Sequence, residues 1–317
     1  MSLIEQAAKR LEQLRNAGVE IPDEEIPPVA QTKPLVEAKP VTNSAPARSE
    51  ASPPTAVVEP AIPAPQSRRV DLDLEAIHAS GIVSPNAPRT QIADEYRVIK
   101  RPLIDNAMGK GAAPVEYGNL IMVTSALPGE GKSFTAINLA MSIATELDNT
   151  VMLVDADVAR PSILNMLGLA PAPGLLDVLL NDSVDLSQVL LKTNVEKLTL
   201  LPSGTPHARA TELLASDAMA ALLHDMATRY SDRIIIFDSP PLLLTTEARV
   251  LASHLGQIVI VVQAGRTLHS EVRQAISTIE SCPIKLLVLN QARFGSSGGY
   301  GGYGYGYGYG YGYGHGA

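Results

Sequence analysis

The residues in this chain whose types and spacing could do chemistry are one lysine, one serine and three aspartates. Lys132 and Ser133 close the stretch LIMVTSALPGEGKS, which runs from Leu120 to Ser133. Its apolar start reads as a buried strand, a Pro- and Gly-bearing loop follows, and FTAINLAMSIATEL continues as a helix. Strand, loop and helix start in that order are what a phosphate-binding loop requires. Backbone N–H groups of the loop and of the first helical turn point at phosphate oxygens. Gly129, Glu130, Gly131, Lys132, Ser133 and Phe134 are the candidates to surround a nucleotide, ATP by expectation. Lys132 adds a positive charge, and the Ser133 hydroxyl can ligate Mg²⁺. The full pattern GxxxxGK[ST] asks for Gly at 126, where Ala126 stands.

The carboxylates follow two further apolar runs. VMLVDADVARP ends on Asp155 and Asp157, and RIIIFDSPP ends on Asp238. A buried carboxylate is costly to ionise, so one leaving an apolar strand usually faces a metal, a cation or solvent. Beside a phosphate loop the partner is Mg²⁺, with Ser133, Asp157 and Asp238 as candidate ligands. Helix capping is the plainer alternative for Asp155 or Asp238.

These side chains need a frame. Strand candidates recur at Leu120–Thr124, Val151–Val154, Lys197–Leu201, Arg233–Phe237, Gln257–Val262 and Lys285–Leu289. Helical patterns lie between them, at Phe134–Leu147, Thr211–Tyr230 and Ser270–Ser281. The alternation predicts a doubly wound, mostly parallel α/β sheet of the P-loop NTPase kind, with the ligand at the strands' C-terminal ends. Ahead of it, DLDLEAIHASGI reads as a short helix ending at Gly81. TQIADEYRVIKRPLIDNAM reads as a second, broken or kinked at Pro102. Its charges are spaced for pairs along one face, which suits either a solvated helix or an interface helix near 90–101.

The chain has 317 residues, a formal net charge of -8 and 45% hydrophobic residues. That charge is no match for nucleic acid. Cys282 is the only cysteine, which excludes an internal disulfide, and it reads as a small buried residue ahead of a strand. No apolar run reaches the roughly 18 residues of a membrane span, and no signal-peptide core is present, so a cytoplasmic location is expected. Residues 1–18 read as an amphipathic helix that docks on a partner, another copy or the domain surface. Residues 19–69 form a linker, with eleven of the 24 prolines between Pro22 and Pro65. Residues 70–294 are the globular part, and 295–317 a low-complexity tail. That tail carries seven of the ten tyrosines: Tyr300, Tyr303, Tyr305, Tyr307, Tyr309, Tyr311 and Tyr313.

The trio VTSALPGEGKS, MLVDADVARPS and IIIFDSPP resembles the Walker A, Walker A′ and Walker B set of bacterial tyrosine kinases. The tyrosine-rich end is similar to the cluster those kinases phosphorylate on themselves. Helix, Pro-rich linker and Tyr/Gly tail resemble the autokinases of exosortase-linked exopolysaccharide loci. The resemblance implies an ATP- and Mg²⁺-dependent protein-tyrosine autokinase that regulates exopolysaccharide polymerisation and export. It makes Lys132, Asp155 and Asp157 the catalytic set: a tyrosine hydroxyl, with a reference pKa of about 10, needs a base to become a nucleophile, and Asp155 could take that proton, with Lys132 and Mg²⁺ stabilising the transferred phosphoryl group. The family's ExxRxxR interface motif appears as Asp94, Arg97 and Lys100, which implies a homo-oligomeric ring. It further implies a separate membrane-embedded polysaccharide copolymerase as activator, holding the protein at the inner membrane, and a cognate tyrosine phosphatase. The family's Walker A′ arginine falls at Ala159, with Arg160 beside it. A partition-type ATPase would carry a second lysine where Leu127 stands, and neither HRD nor DFG occurs.

Overall fold

The computed structural model describes residues 67–292 except 86, 87, 89 and 231. The predicted N-terminal helix, most of the linker and the tyrosine tail lie outside the described residues. In chain order come β1 (Arg68–Arg69), α1 (Leu74–Ala79), α2 (Gln91–Ala107), β2 (Leu120–Ser125), α3 (Lys132–Ala144) and β3 (Thr150–Asp155). Then follow α4 (Ile163–Met166), α5 (Leu175–Leu180), α6 (Leu186–Val189), β4 (Leu191–Lys192), β5 (Leu198–Leu201), α7 (Ala210–Leu214) and α8 (Asp217–Arg229). The last elements are β6 (Arg233–Asp238), α9 (Glu247–Ala252), β7 (Gln257–Gln263), α10 (His269–Ser277) and β8 (Ile284–Asn290).

The strands form one eight-stranded sheet in the order β1-β4-β5-β3-β6-β2-β7-β8, parallel except where β4 meets β5. Alternate residues serve opposite faces, as the strand pleat dictates. Met122, Met152, Val154, Ile235 and Phe237 enter one apolar cluster under α5 to α10, while Ile121, Val123, Val151, Leu153 and Ile236 enter the other under α1, α2 and α3. Strands buried on both faces explain the continuous apolar runs in the sequence. Fully burying each large side chain of β6 contributes about 1.5–3 kcal/mol.

Several local readings need correction. The pattern expected as one helix over Thr211–Tyr230 is two, because the Ser216 hydroxyl accepts from Met219 N at 3.3 Å and caps a new helix there. α2 is not broken at Pro102. Pro102 and Val98, four residues before it, are both on the exposed side, so the carbonyl that loses its N–H donor there faces solvent. Arg68 and Arg69, expected in the linker, pair with Leu191 and Lys192 as a short edge strand. Cys282 is buried ahead of β8 as expected. Among the described residues no helix is long and apolar enough to cross a membrane.

Candidate active site

Three neighbouring parallel strands, β3, β6 and β2, bring the chemistry to one end of the sheet. Asp155 and Asp238 are register partners across β3 and β6, and Val123 of β2 pairs with Asp238 on its other side. The loop after β2 then wraps over these strand ends. Gly131 opens α3 at φ +93°, and a Cβ there would overlap the Asn290 side chain, so only glycine fits. Thr135 N bonds Gly131 O at 2.9 Å as the first regular helical bond. The N–H groups ahead of it, Lys132 to Phe134, have no carbonyl four residues back within the helix and face out of its end.

Lys132 lies between the carboxylates. Its ammonium is 2.6 Å from Asp157 Oδ2 and 3.8 Å from Asp238 Oδ1, and it donates to Ser133 Oγ at 3.3 Å. Burial works against the charged ammonium, but Asp238 and Asp157 outweigh it and hold its pKa above the ordinary lysine value. Asp238 is fully buried, and neither carboxylate oxygen has a hydrogen-bond partner. Burial pushes its pKa up to about 7, with Lys132 and the Ser133 hydroxyl opposing. Asp157 Oδ1 accepts from Arg160 N at 3.2 Å.

Asp155 takes the capping role. Its Oδ2 caps α4, accepting from Ser162 N and Ile163 N at 3.0 Å each, while Oδ1 is buried without a partner. Burial raises its pKa to about 6, against the pull of those two N–H groups. Among the described residues no group of three or more His, Cys, Asp or Glu is arranged to hold a metal alone. Mg²⁺ does not need one, because it takes one or two carboxylates and fills its shell with water and phosphate. The oxygens of Asp238, which accept no hydrogen bond and have only the Lys132 ammonium at 3.8 Å from Oδ1, fit such an ion together with Asp157 and Ser133.

Other expected site residues sit differently. Glu130 turns its carboxylate inward: Oε2 accepts from Leu127 N at 2.6 Å, and Oε1 accepts from Thr267 Oγ1. Asn290 Nδ2 donates to Glu130 O at 2.9 Å. Thr267 and Asn290 thus brace the loop, a role that no local motif marked. Phe134 packs its ring against the core under α1 and α2. The Ala159–Arg160 pair is exposed beside Asp157. On α2, Arg97 pairs with Asp94 at 2.6 Å with both side chains about half exposed. Lys100 does not share that surface. Its side chain is 2% exposed, its ammonium is 2.7 Å from Glu146 Oε1 and it donates to Ser142 O, tying α2 to the end of α3. Burial lowers the Lys100 pKa, with Glu146 opposing.

A doubly wound parallel sheet whose first central strand feeds such a loop into a helix defines a P-loop NTPase domain. Comparison with known proteins narrows the class. The family model described as an AAA domain matches residues 118–288. Tyrosine-protein kinase YwqD of Bacillus subtilis is 31% identical over 224 residues, covering 70% of this chain and 90% of that protein. Tyrosine-protein kinase CpsD of Streptococcus agalactiae is 33% identical over 192 residues, 57% of this chain and 81% of that protein. The same region covers only 25% of the putative tyrosine-protein kinase EpsB of Ralstonia nicotianae. Among solved structures, the kinase domain of Escherichia coli tyrosine kinase ETK shares 25% identity at a TM-score of 0.53, covering 74% of this chain and 98% of that one. The chain belongs to the bacterial tyrosine-protein kinase family.

Proposed function

We propose that this kinase phosphorylates its own C-terminal tyrosines, Tyr300 to Tyr313, from ATP with Mg²⁺, and acts in exopolysaccharide polymerisation and export. One observation carries the reading: a loop lysine enclosed by strand-end carboxylates, beside an aspartate of raised basicity. The nucleotide phosphates bind at the start of α3, where Lys132 gives up Asp157 for them. Ser133, Asp157 and Asp238 would hold Mg²⁺, which would neutralise phosphate charge. Asp155 Oδ1 receives the phenolic proton. From a tyrosine at about 10 to Asp155 at about 6, that transfer is uphill by about 5 kcal/mol, at 1.36 kcal/mol per pH unit. An ordinary aspartate would make it about 8 kcal/mol. Burial of Asp155 therefore helps, but the proton moves together with phosphoryl transfer rather than before it.

Support for the polysaccharide context comes from a relative, the succinoglycan biosynthesis transport protein ExoP of Rhizobium meliloti. It is 31% identical over 220 residues, and the match covers 27% of that protein. A membrane-embedded copolymerase as partner, a location at the inner membrane through it, a ring built on Asp94 and Arg97, and an opposing phosphatase complete the proposal. The likeness to exosortase-linked kinases rests on segments outside the described residues. The test is to incubate purified protein with Mg·ATP and map phosphate, beside Lys132→Met and a tail with all seven tyrosines changed to Phe. Phosphotyrosine confined to the tail, and reduced at least about a hundredfold in Lys132→Met, is expected. ATP hydrolysis without phosphotyrosine would move the protein to the positioning or partition ATPases.

A further inference from the structure

β8 is the outermost strand on its side of the sheet, bonded to β7 and to no other strand among the described residues. It is seven residues long, contains no proline, and carries Lys285 as its single charge. Sheet edges that long and apolar are templates for another strand unless they are blunted or covered. On one face Leu287 and Leu289 are 56% and 64% exposed. They are register partners of Ile260 and Val262 on β7, so they prolong the apolar face of the sheet beyond its last covering helix. With Val262 and Val272 they line a groove of about 490 Å³, which Gln263, Thr267, His269 and Arg273 also line.

We propose that the tyrosine–glycine segment of this same chain, Tyr303–Tyr313, docks antiparallel along β8 as an added strand and lays its rings over Leu287 and Leu289. The chain passes from β8 directly towards that segment. Gln291 takes φ +57°, turning the backbone out of the strand at once. Residues 295–299 read GSSGG, small residues suited to a hairpin return. From Tyr303 to Tyr313 every second residue is tyrosine. In a strand all those rings share one face and the glycines the other. Aromatic rings opposite branched aliphatic side chains are favourable cross-strand pairs. The segment has no charged side chain, so no ion loses its water on docking. His269 and Arg273 offer polar partners to the phenol hydroxyls. The docking proposed is that of the unmodified tail and does not depend on which enzyme modifies it.

Amide hydrogen exchange on the dephosphorylated full chain tests this. The β8 amides that point away from β7 are expected to exchange about tenfold or more slowly, as for a segment docked some nine-tenths of the time. A full-length variant with the seven tail tyrosines changed to Ser loses that protection, and so does Leu287→Thr/Leu289→Thr. Both keep the protection of β6 and β7, which reports an intact fold. Equal β8 exchange in wild type and the serine tail overturns the proposal. Protection that grows with protein concentration also overturns it, since a second copy then covers the edge.

Discussion

Replacing Asp238 by Asn is expected to stabilise the nucleotide-free and metal-free protein at alkaline pH. Asp238 is fully buried, and neither of its oxygens has a hydrogen-bond partner. Its pKa rises from 3.8 to about 7, mainly through burial. Between those values the folded protein holds a proton that the unfolded chain has released. Wild-type stability therefore falls as pH rises from about 4 to about 7, and the loss is complete above that. The interval is worth about 4 kcal/mol at 1.36 kcal/mol per pH unit. An Asn amide without partners in the same place costs about as much as the protonated carboxyl it replaces, about 1–3 kcal/mol in each case. The gain for Asp238→Asn is then up to about 4 kcal/mol at pH 8, shrinking below pH 7 and gone by pH 4. Urea unfolding in EDTA at pH 8, 6 and 4.5, with m-values compared, measures it. A variant less stable than wild type at pH 8, or a difference that does not change with pH, would refute the reasoning. Raised stability with lost phosphotransfer would show that this buried charge is kept for function.

Three more expectations follow from particular contacts. Lys100→Ala leaves Glu146 paired with Arg101 alone and empties a buried side-chain position, and should cost about 2–3 kcal/mol in urea unfolding, whereas Arg97→Ala on the exposed face should stay within about 0.5 kcal/mol. Gly131→Ala meets both a positive φ and the Asn290 side chain, and should lower kcat/KM for ATP at least about a hundredfold. Glu130→Ala leaves Leu127 N and Thr267 Oγ1 without their acceptor. It should raise KM for ATP about tenfold with a smaller change in kcat, as steady-state kinetics would show.

The site was readable where its signals were local. Asp155 and Asp238 stand out because an apolar strand that ends on a carboxylate is rare unless something cationic waits there, and parallel register puts both at one end of the sheet. Glu130 shows the limit. Its place in PGEGKS suggests a nucleotide contact, but its acceptors serve Leu127 N within the loop and Thr267, and Asn290 grips its carbonyl; these last two lie 137 and 160 positions away. No short pattern encodes such distant partners. Lys100 was misleading for another reason. With Tyr96, Leu103 and Ile104 it falls on the buried stripe of α2, so its spacing was informative. Its residue type suggested solvent, yet its long stem crosses the apolar layer to reach Glu146. The break at Ser216 was missed because helical periodicity runs on either side of a residue that is also a good cap.

The 2.6 Å pair between Lys132 and Asp157 gives the loop an internal rival for its ligand. The ammonium that a phosphate would bind is already satisfied by a carboxylate of the same chain, so the strength of nucleotide binding is a difference between two ion pairs. Such an arrangement satisfies the ammonium within the chain, and the carboxylates around it disfavour stray anions. On the proposed reading it would also make retention conditional: a phosphate ligand would stay while Asp157 is otherwise engaged, and the carboxylate would reclaim the lysine once that engagement ended.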